Sequence, residues 1–276
     1  MVSVRVALIS EVFTGDDAAA RLHARLREAS DRGAALAVLP ELPLQPWRPC
    51  SRERLDADAE PRGGAREQLA AAAARQAGLA LVAGGIVALP DGRRHNVAWV
   101  HDHQGTALGR YAKTHVPQEP GFWERDHYDD GDAAPEPIAV AGLLLALQIC
   151  SDIQRPALSQ ALAAAGCHAI VHPRATEPET WPSWRLTLQA TALAAGVWVL
   201  SVNRPAPEGG TPLGGPSCVV APDGTVVLES NETIALASID DAAVVRAQTQ
   251  YPGYLPLRSD LYAAAWSRVP PRGSLA

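Results

Sequence analysis

The chain has 276 residues, of which 47% are hydrophobic and 20% charged, so it can bury a sizeable core and reads as one globular unit. A formal net charge of -6 leaves no broad basic surface, which argues against nucleic-acid phosphates or an anionic membrane as partners and in favour of a small-molecule substrate.

Residues 3–10 alternate small and apolar side chains and read as a first strand, without the charged start and apolar block of an export signal. A helix is expected over 16–35, a strand over 36–40 and an alanine-rich helix over 65–77. Two adjacent strands follow at 79–89 and 95–102, joined by the turn-forming Pro90-Asp91-Gly92. The stretch 114–137, rich in Pro, Gly and acids, reads as a long loop of the kind that carries function. A continuous apolar strand at 143–150 ends on Cys150, and a helix over 156–165 is closed by Gly166. The unit recurs as strand 168–172, helix 181–195 ended by Gly196, and strand 197–202. A hairpin at Pro222-Asp223-Gly224, flanked by 217–221 and 225–229, comes next. Such alternation predicts an α/β protein, and no composition break marks a linker, so residues 1–276 are expected to form one domain. The longest apolar runs, such as 142–149, fall far short of the roughly eighteen residues a membrane-spanning helix needs.

The four cysteines, Cys50, Cys150, Cys167 and Cys218, show no CxxC spacing. Reduced thiols and a cytoplasmic location are the expectation. The basic residues are unevenly chosen: of 24 Lys and Arg residues only Lys113 is a lysine. An ammonium is a compact charge whose pKa moves on burial, whereas a guanidinium is a planar fork, so chemistry that needs the first cannot accept the second.

Three side chains stand out for chemistry. Cys150 lies at a strand-to-helix turn, where α/β folds present nucleophiles, although a cysteine ending an apolar strand is also a common inert core residue. Glu41 leaves a strand between Pro40 and Pro43, at the edge where ligand sites of open sheets gather, and suits a general base. With Lys113 to stabilise an oxyanion, these residues compose what acyl transfer from an amide requires.

Leu39-Pro40-Glu41, Gly109-Arg110-Tyr111-Ala112-Lys113-Thr114-His115, Pro120-Gly121-Phe122-Trp123-Glu124 and Gln148-Ile149-Cys150-Ser151-Asp152 resemble, in that order, the Glu, Lys, second Glu and Cys blocks of the nitrilase (carbon-nitrogen hydrolase) superfamily. Ser201-Val202-Asn203-Arg204, Gly214-Gly215-Pro216-Ser217 and Arg258-Ser259-Asp260-Leu261-Tyr262 extend the resemblance over nearly the whole chain. It implies a four-layer αββα sandwich, pairing into a homodimer or higher homo-oligomer, with no metal or organic cofactor. It also implies catalysis by Glu41, Lys113 and Cys150, with Glu124 orienting substrate and supporting Lys113, the Ser151 N–H completing the oxyanion site, and a thioester intermediate. Among the branches, the N-carbamoyl and aliphatic amide hydrolases, including N-carbamoylputrescine amidohydrolase, are most similar. A nitrile-hydrolysing enzyme is the alternative, and a catalytically silent small-molecule sensor is the reading from a different class.

The chain also departs from the family pattern. Ser151 replaces a commonly aromatic residue, the helix near 192–195 lacks a usual Glu-Asn pair, and Cys150-Ser151-Asp152-Ile153-Gln154-Arg155-Pro156 lacks an aromatic-Pro-Glu ending. Candidate oxyanion or substrate-binding residues are Ser151, His172, Arg174 and Trp123. Arg155, Arg174 and Arg185 are candidates for gripping a substrate carboxylate, and Trp181 and Trp184 for pocket walls. His168 and His172 near Cys167, and His95, His101 and His103, lack second ligand pairs, so no metal site is expected.

Overall fold

A computed structural model describes residues 2–269. The first half of the chain builds one sheet from β1 (Ser3–Ile9), β2 (Leu36–Val38), β3 (Ala59–Pro61), β4 (Ala80–Ala88), β5 (Arg94–His101) and β6 (Ala107–Ala112), with helices α1 (Ala18–Asp31) and α2 (Ala65–Ala77) between them. The second half builds another from β7 (Ile138–Val140), β8 (Leu143–Leu147), β9 (Ala169–Arg174), β10 (Trp198–Asn203), β11 (Ser217–Val220) and β12 (Val226–Ser230), with α3 (Pro156–Ala164) and α4 (Trp181–Ala195). The chain then returns as β13 (Ile234–Asp240), antiparallel to β1, before α5 (Asp241–Thr249) and α6 (Ser259–Trp266).

The strand orders are β13-β1-β2-β4-β5-β6, with β3 beside β4, and β12-β11-β10-β9-β8-β7. Each sheet has a parallel centre: β1, β2 and β4 in the first, β8, β9 and β10 in the second. Central strands buried on both faces are continuously apolar, and β4 has this character, while β10 is as fully buried but carries the hydrogen-bonded Ser201 and Asn203. Leu8, Val38 and Val82 of one sheet pack with Leu145, Val171 and Leu200 of the other in a shared core. The outer face of the first sheet is covered by Leu22 and Leu26 of α1 and Ala70 and Ala73 of α2. Leu162 of α3 and Leu188 of α4 cover the second. The layers are thus helix, sheet, sheet, helix, as the resemblance implies.

Boundaries shift where local chemistry intervenes. The helix expected over 16–35 stops at Asp31, because Gly33 turns the chain at φ 83°. The strand expected over 36–40 ends early: Leu39 still donates to Val82, but Pro40 has no N–H to continue the ladder. The strand expected over 143–150 ends at Leu147, since Cys150–Gln154 winds into a 3-10 helix. The pattern reading missed β3, β6, β7, β13, α5 and α6. Three-residue strands leave too few side chains to alternate, and β6 carries Gly109 and Arg110 among its apolar positions.

The shared core makes one clear demand. Leu200 is fully buried between the sheets, so Leu200→Ala is expected to lower the unfolding free energy by about 2–5 kcal/mol, read from urea denaturation.

Candidate active site

The loop after β2 carries Glu41, and its shape is imposed from outside. The buried Arg204 guanidinium donates to the carbonyl oxygens of Glu41 (2.8 Å), Leu42 (2.8 Å) and Gln45 (3.1 Å), and pairs with Glu208. Leu42 takes a positive φ of 50°, a strain such bonds hold in place. Lys113 comes directly after β6, where its N–H bonds the Asn96 carbonyl at 2.9 Å.

The side chains of Glu41, Lys113 and Glu124 are fully buried and touch. Lys113 Nζ lies 2.8 Å from Glu41 Oε1 and 2.5 Å from Glu124 Oε2. Asn96 on β5 donates to the same Glu41 oxygen at 2.7 Å, and the Tyr128 hydroxyl donates to Glu124. Burial alone would push the Lys113 pKa down, but the Glu124 and Glu41 carboxylates outweigh it and hold the ammonium well above its usual value. Burial raises the Glu124 carboxyl to about 7 against the pull of Lys113, with Glu41 adding to the rise. The second oxygens, Glu41 Oε2 and Glu124 Oε1, are buried without a hydrogen-bond partner among the described residues, a costly arrangement in a structural ion pair and a useful one in a reactive site.

Cys150 opens its 3-10 helix at φ 47°, a left-handed conformation rare for a residue with a side chain. Its thiol is 3.7 Å from the Ala175 carbonyl. Burial, then the Glu41 charge, raises the thiol pKa well above its usual value, while Lys113 pulls it down. The resting sulfur is therefore protonated at neutral pH and needs a base.

Two networks hold that turn. Asp152, with no exposure, accepts from the Ile149 N–H (3.1 Å), Thr114 N–H (3.1 Å), His115 N–H (2.9 Å), Thr114 Oγ1 (2.9 Å) and Tyr111 hydroxyl (2.9 Å). It thereby ties the cysteine turn to the segment that carries Lys113. Behind Cys150, Arg174 Nε donates to Ser201 Oγ (2.9 Å). The Ser201 hydroxyl then faces His172 Nδ1 (2.9 Å), and His172 Nε2 faces the Cys150 carbonyl (2.8 Å). Those partners assign the proton to Nε2, and burial lowers the His172 pKa to about 3, which keeps the ring neutral.

A cleft of about 260 Å³ opens onto Cys150 and Glu124, and Glu41 and Lys113 are not among the residues that line it. Of the residues singled out from sequence for catalysis or binding, Cys150, Glu124, Ser151 and Trp184 line it, together with Phe122, Gln154, Thr176, Glu119 and Glu177. His172, Arg174 and Trp123 are not on its wall: Arg174 is bonded to Ser201, Thr176 and the Pro216 carbonyl, and Trp123 lies under the Arg52 guanidinium at 4.0 Å. Arg185 and Trp181 both bond Glu229 at 2.9 Å, and Arg155 is exposed. Asn96, Tyr128, Asp152 and Arg204 escaped the sequence reading as functional residues. Asp152 and Arg204 sit inside segments that carried the resemblance, which was the available signal. Among the described residues no group of three His, Cys, Asp or Glu gathers as a metal site, and no helix is long and apolar enough to cross a membrane.

With this geometry in view, the comparisons are direct. The Carbon-nitrogen hydrolase family matches residues 12–248, so the chain belongs to that family, within the nitrilase superfamily, and is a carbon-nitrogen hydrolase enzyme. Omega-amidase NIT2-A of Xenopus laevis is 30% identical over 249 residues, covering 86% of this chain and 88% of that protein. The crystal structure of a carbon-nitrogen hydrolase from Helicobacter pylori G27 superposes with a TM-score of 0.85 at 22% identity, covering 96% of this chain and 99% of that one. A mutant of the amidase from Nesterenkonia sp. AN1, showing the result of Michael addition of acrylamide at its active site cysteine, matches with a TM-score of 0.74 at 25% identity. That match covers 95% of this chain and 99% of the other.

Two outcomes follow from the networks. Asp152→Asn puts an amide N–H among donors, so kcat is expected to fall by about a hundredfold through misplacement of the cysteine turn, with KM less affected. His172 is neutral when folded and titrates near 6.5 when unfolded. The unfolded chain therefore gains a proton that the native state refuses, and stability drops by about 1.4 kcal/mol per pH unit as pH falls from about 6.5 towards 3. In His172→Phe, urea titrations across that range should show a slope shallower by one proton.

Proposed function

We propose that the chain hydrolyses a non-peptide amide, or N-carbamoyl amide, bond through a Cys150 thioester. The observation that carries this reading is the solvent-free contact of the only lysine with two carboxylates beside a strained cysteine, Lys113 Nζ being 2.8 Å from Glu41 and 2.5 Å from Glu124. A neutral thiol is a poor nucleophile, and the free oxygen of Glu41 is the group available to take its proton. The sulfur then attacks the amide carbon, and the developing oxyanion is held by Lys113 and the Ser151 N–H. Glu41 returns the proton to the departing nitrogen as the C–N bond breaks, leaving the acyl group on sulfur. Water enters, gives its proton to Glu41 and adds to the thioester; collapse releases the acid and reprotonates Cys150. Glu124, which lines the cleft, fixes the ammonium and faces the substrate with its own free oxygen.

The family membership and the names of the relatives, omega-amidase and amidase, support amides over nitriles as the substrate class. Pairing into a homodimer belongs to the same proposal. It is supported by α6, which buries no residue in its own chain and exposes Leu261, Tyr262 and Trp266.

Ammonia release from aliphatic amides, N-carbamoyl amines, N-carbamoyl amino acids and nitriles is the test. Turnover of amides or carbamoyl compounds, lost in Cys150→Ala, is the expected result. Turnover of nitriles alone would assign the other branch, and an unreactive Cys150 with silence across the panel would leave a sensor of the same fold. Lys113→Arg is expected to abolish turnover although charge is kept, because the fork does not fit the ammonium's buried place.

A further inference from the structure

The wall of the cleft in front of Cys150 carries carboxylates, and the ammonium nearest to it, Lys113, is fully buried and already paired with Glu41 and Glu124. Glu119 at the exposed rim, half-buried Glu177 and fully buried Glu124 all line it, and no Lys, Arg or His does. Neither Glu119 nor Glu177 forms an ion pair among the described residues, so neither charge is already answered by the protein. Two arginines near the nucleophile are committed elsewhere, Arg174 to Ser201, Thr176 and Pro216 and Arg185 to Glu229, while position 154 on the cleft wall is the neutral Gln154. An independent observation points to the same ligand. Phe122 and Trp184 form aromatic wall of the same cleft, surfaces that accept methylenes and attract an ammonium. At the inner end, the buried Glu124 Oε1 has no partner and would meet a donor on the substrate rather than a carboxylate.

We propose, building on the amide-hydrolase reading, that the site selects amides or carbamoyl compounds whose far end carries an ammonium group, and disfavours those ending in a carboxylate. A negative entrance raises the local concentration of cationic substrate and repels anions, and the chain's net charge of -6 adds to that field. The cleft, about 260 Å³, has room for a short-chain substrate.

The test compares three amides of matched length: 6-aminohexanamide, hexanamide and adipic acid monoamide. Binding to Cys150→Ala is measured by calorimetry, and KM and ammonia release are measured with the intact enzyme. The ammonium amide is expected to bind about tenfold more tightly than hexanamide, a difference of about 1.4 kcal/mol, and the carboxylate amide most weakly. The ratio should shrink towards one in the Glu119→Gln, Glu177→Gln double variant, and at about 1 M salt, where the screening length is about 3 Å. Equal binding of the three, no binding of any, a preference for the carboxylate, or a ratio untouched in the double variant overturns the proposal. Ammonia release from hexanamide without charge preference would sink this inference and leave the hydrolase reading standing. Tight ammonium-selective binding without ammonia release would do the reverse.

Discussion

An ammonium cut off from water persists in a protein interior only where negative charge meets it at hydrogen-bonding distance. Lys113 is in that position, and much of the surrounding structure follows from it. Its two carboxylates arrive from different segments, Glu41 from the loop after β2, 72 residues away, and Glu124 from the long loop that Lys113 itself begins, so both loops must be shaped to deliver them. Removing one partner of such a group leaves an uncompensated buried charge, typically a loss of about 3–5 kcal/mol. The same requirement explains a lysine in a chain that otherwise uses arginine: two carboxylates converge on a single nitrogen, a point charge and not a planar fork.

The second sheet answers that cluster with a cysteine held by its backbone. A left-handed residue at the end of a strand is strained, and here its carbonyl is engaged by His172 while Asp152 gathers the amides around it. The Arg174, Ser201 and His172 chain runs across β9 and β10, so the rigid centre of the sheet sets the direction of the turn. Asp152 reaches in the other direction to residues 111–115 and couples the turn to the lysine. Lys113 and Cys150 thus sit just beyond strand ends, and Glu41 and Glu124 lie on loops that packed, hydrogen-bonded elements hold in place.

Arg174 illustrates how a side chain's chemistry differs from its use. From sequence it is a candidate for binding a substrate carboxylate. In the fold its donors meet protein oxygens, and burial lowers its pKa to about 10. With Arg174 engaged in this way and carboxylates on the cleft wall, the proposed reaction gives the cleft and the Lys113 cluster opposite electrostatic tasks. In that proposal the cluster stabilises developing negative charge, and the entrance presents negative charge to solvent.

The sequence by itself determined the α/β alternation, the strand-to-helix turn at Cys150, and the residues of unusual chemistry, because hydrophobic period, turn residues and composition are local properties. It also carried the order of blocks on which the resemblance rests. Short strands such as β3 and β7 were out of reach, since three residues hold no period. Only the tertiary structure decided that Asn96 shares an oxygen of Glu41 with Lys113, that Tyr128 bonds Glu124, and that Arg204 shapes the Glu41 loop from more than 150 residues away. It also decided that Phe122 and Trp184 face the cleft while Trp123 stacks with Arg52. The physical reason is that a hydrogen bond or a cleft wall depends on where two sheets bring distant side chains together, and no local pattern records that distance.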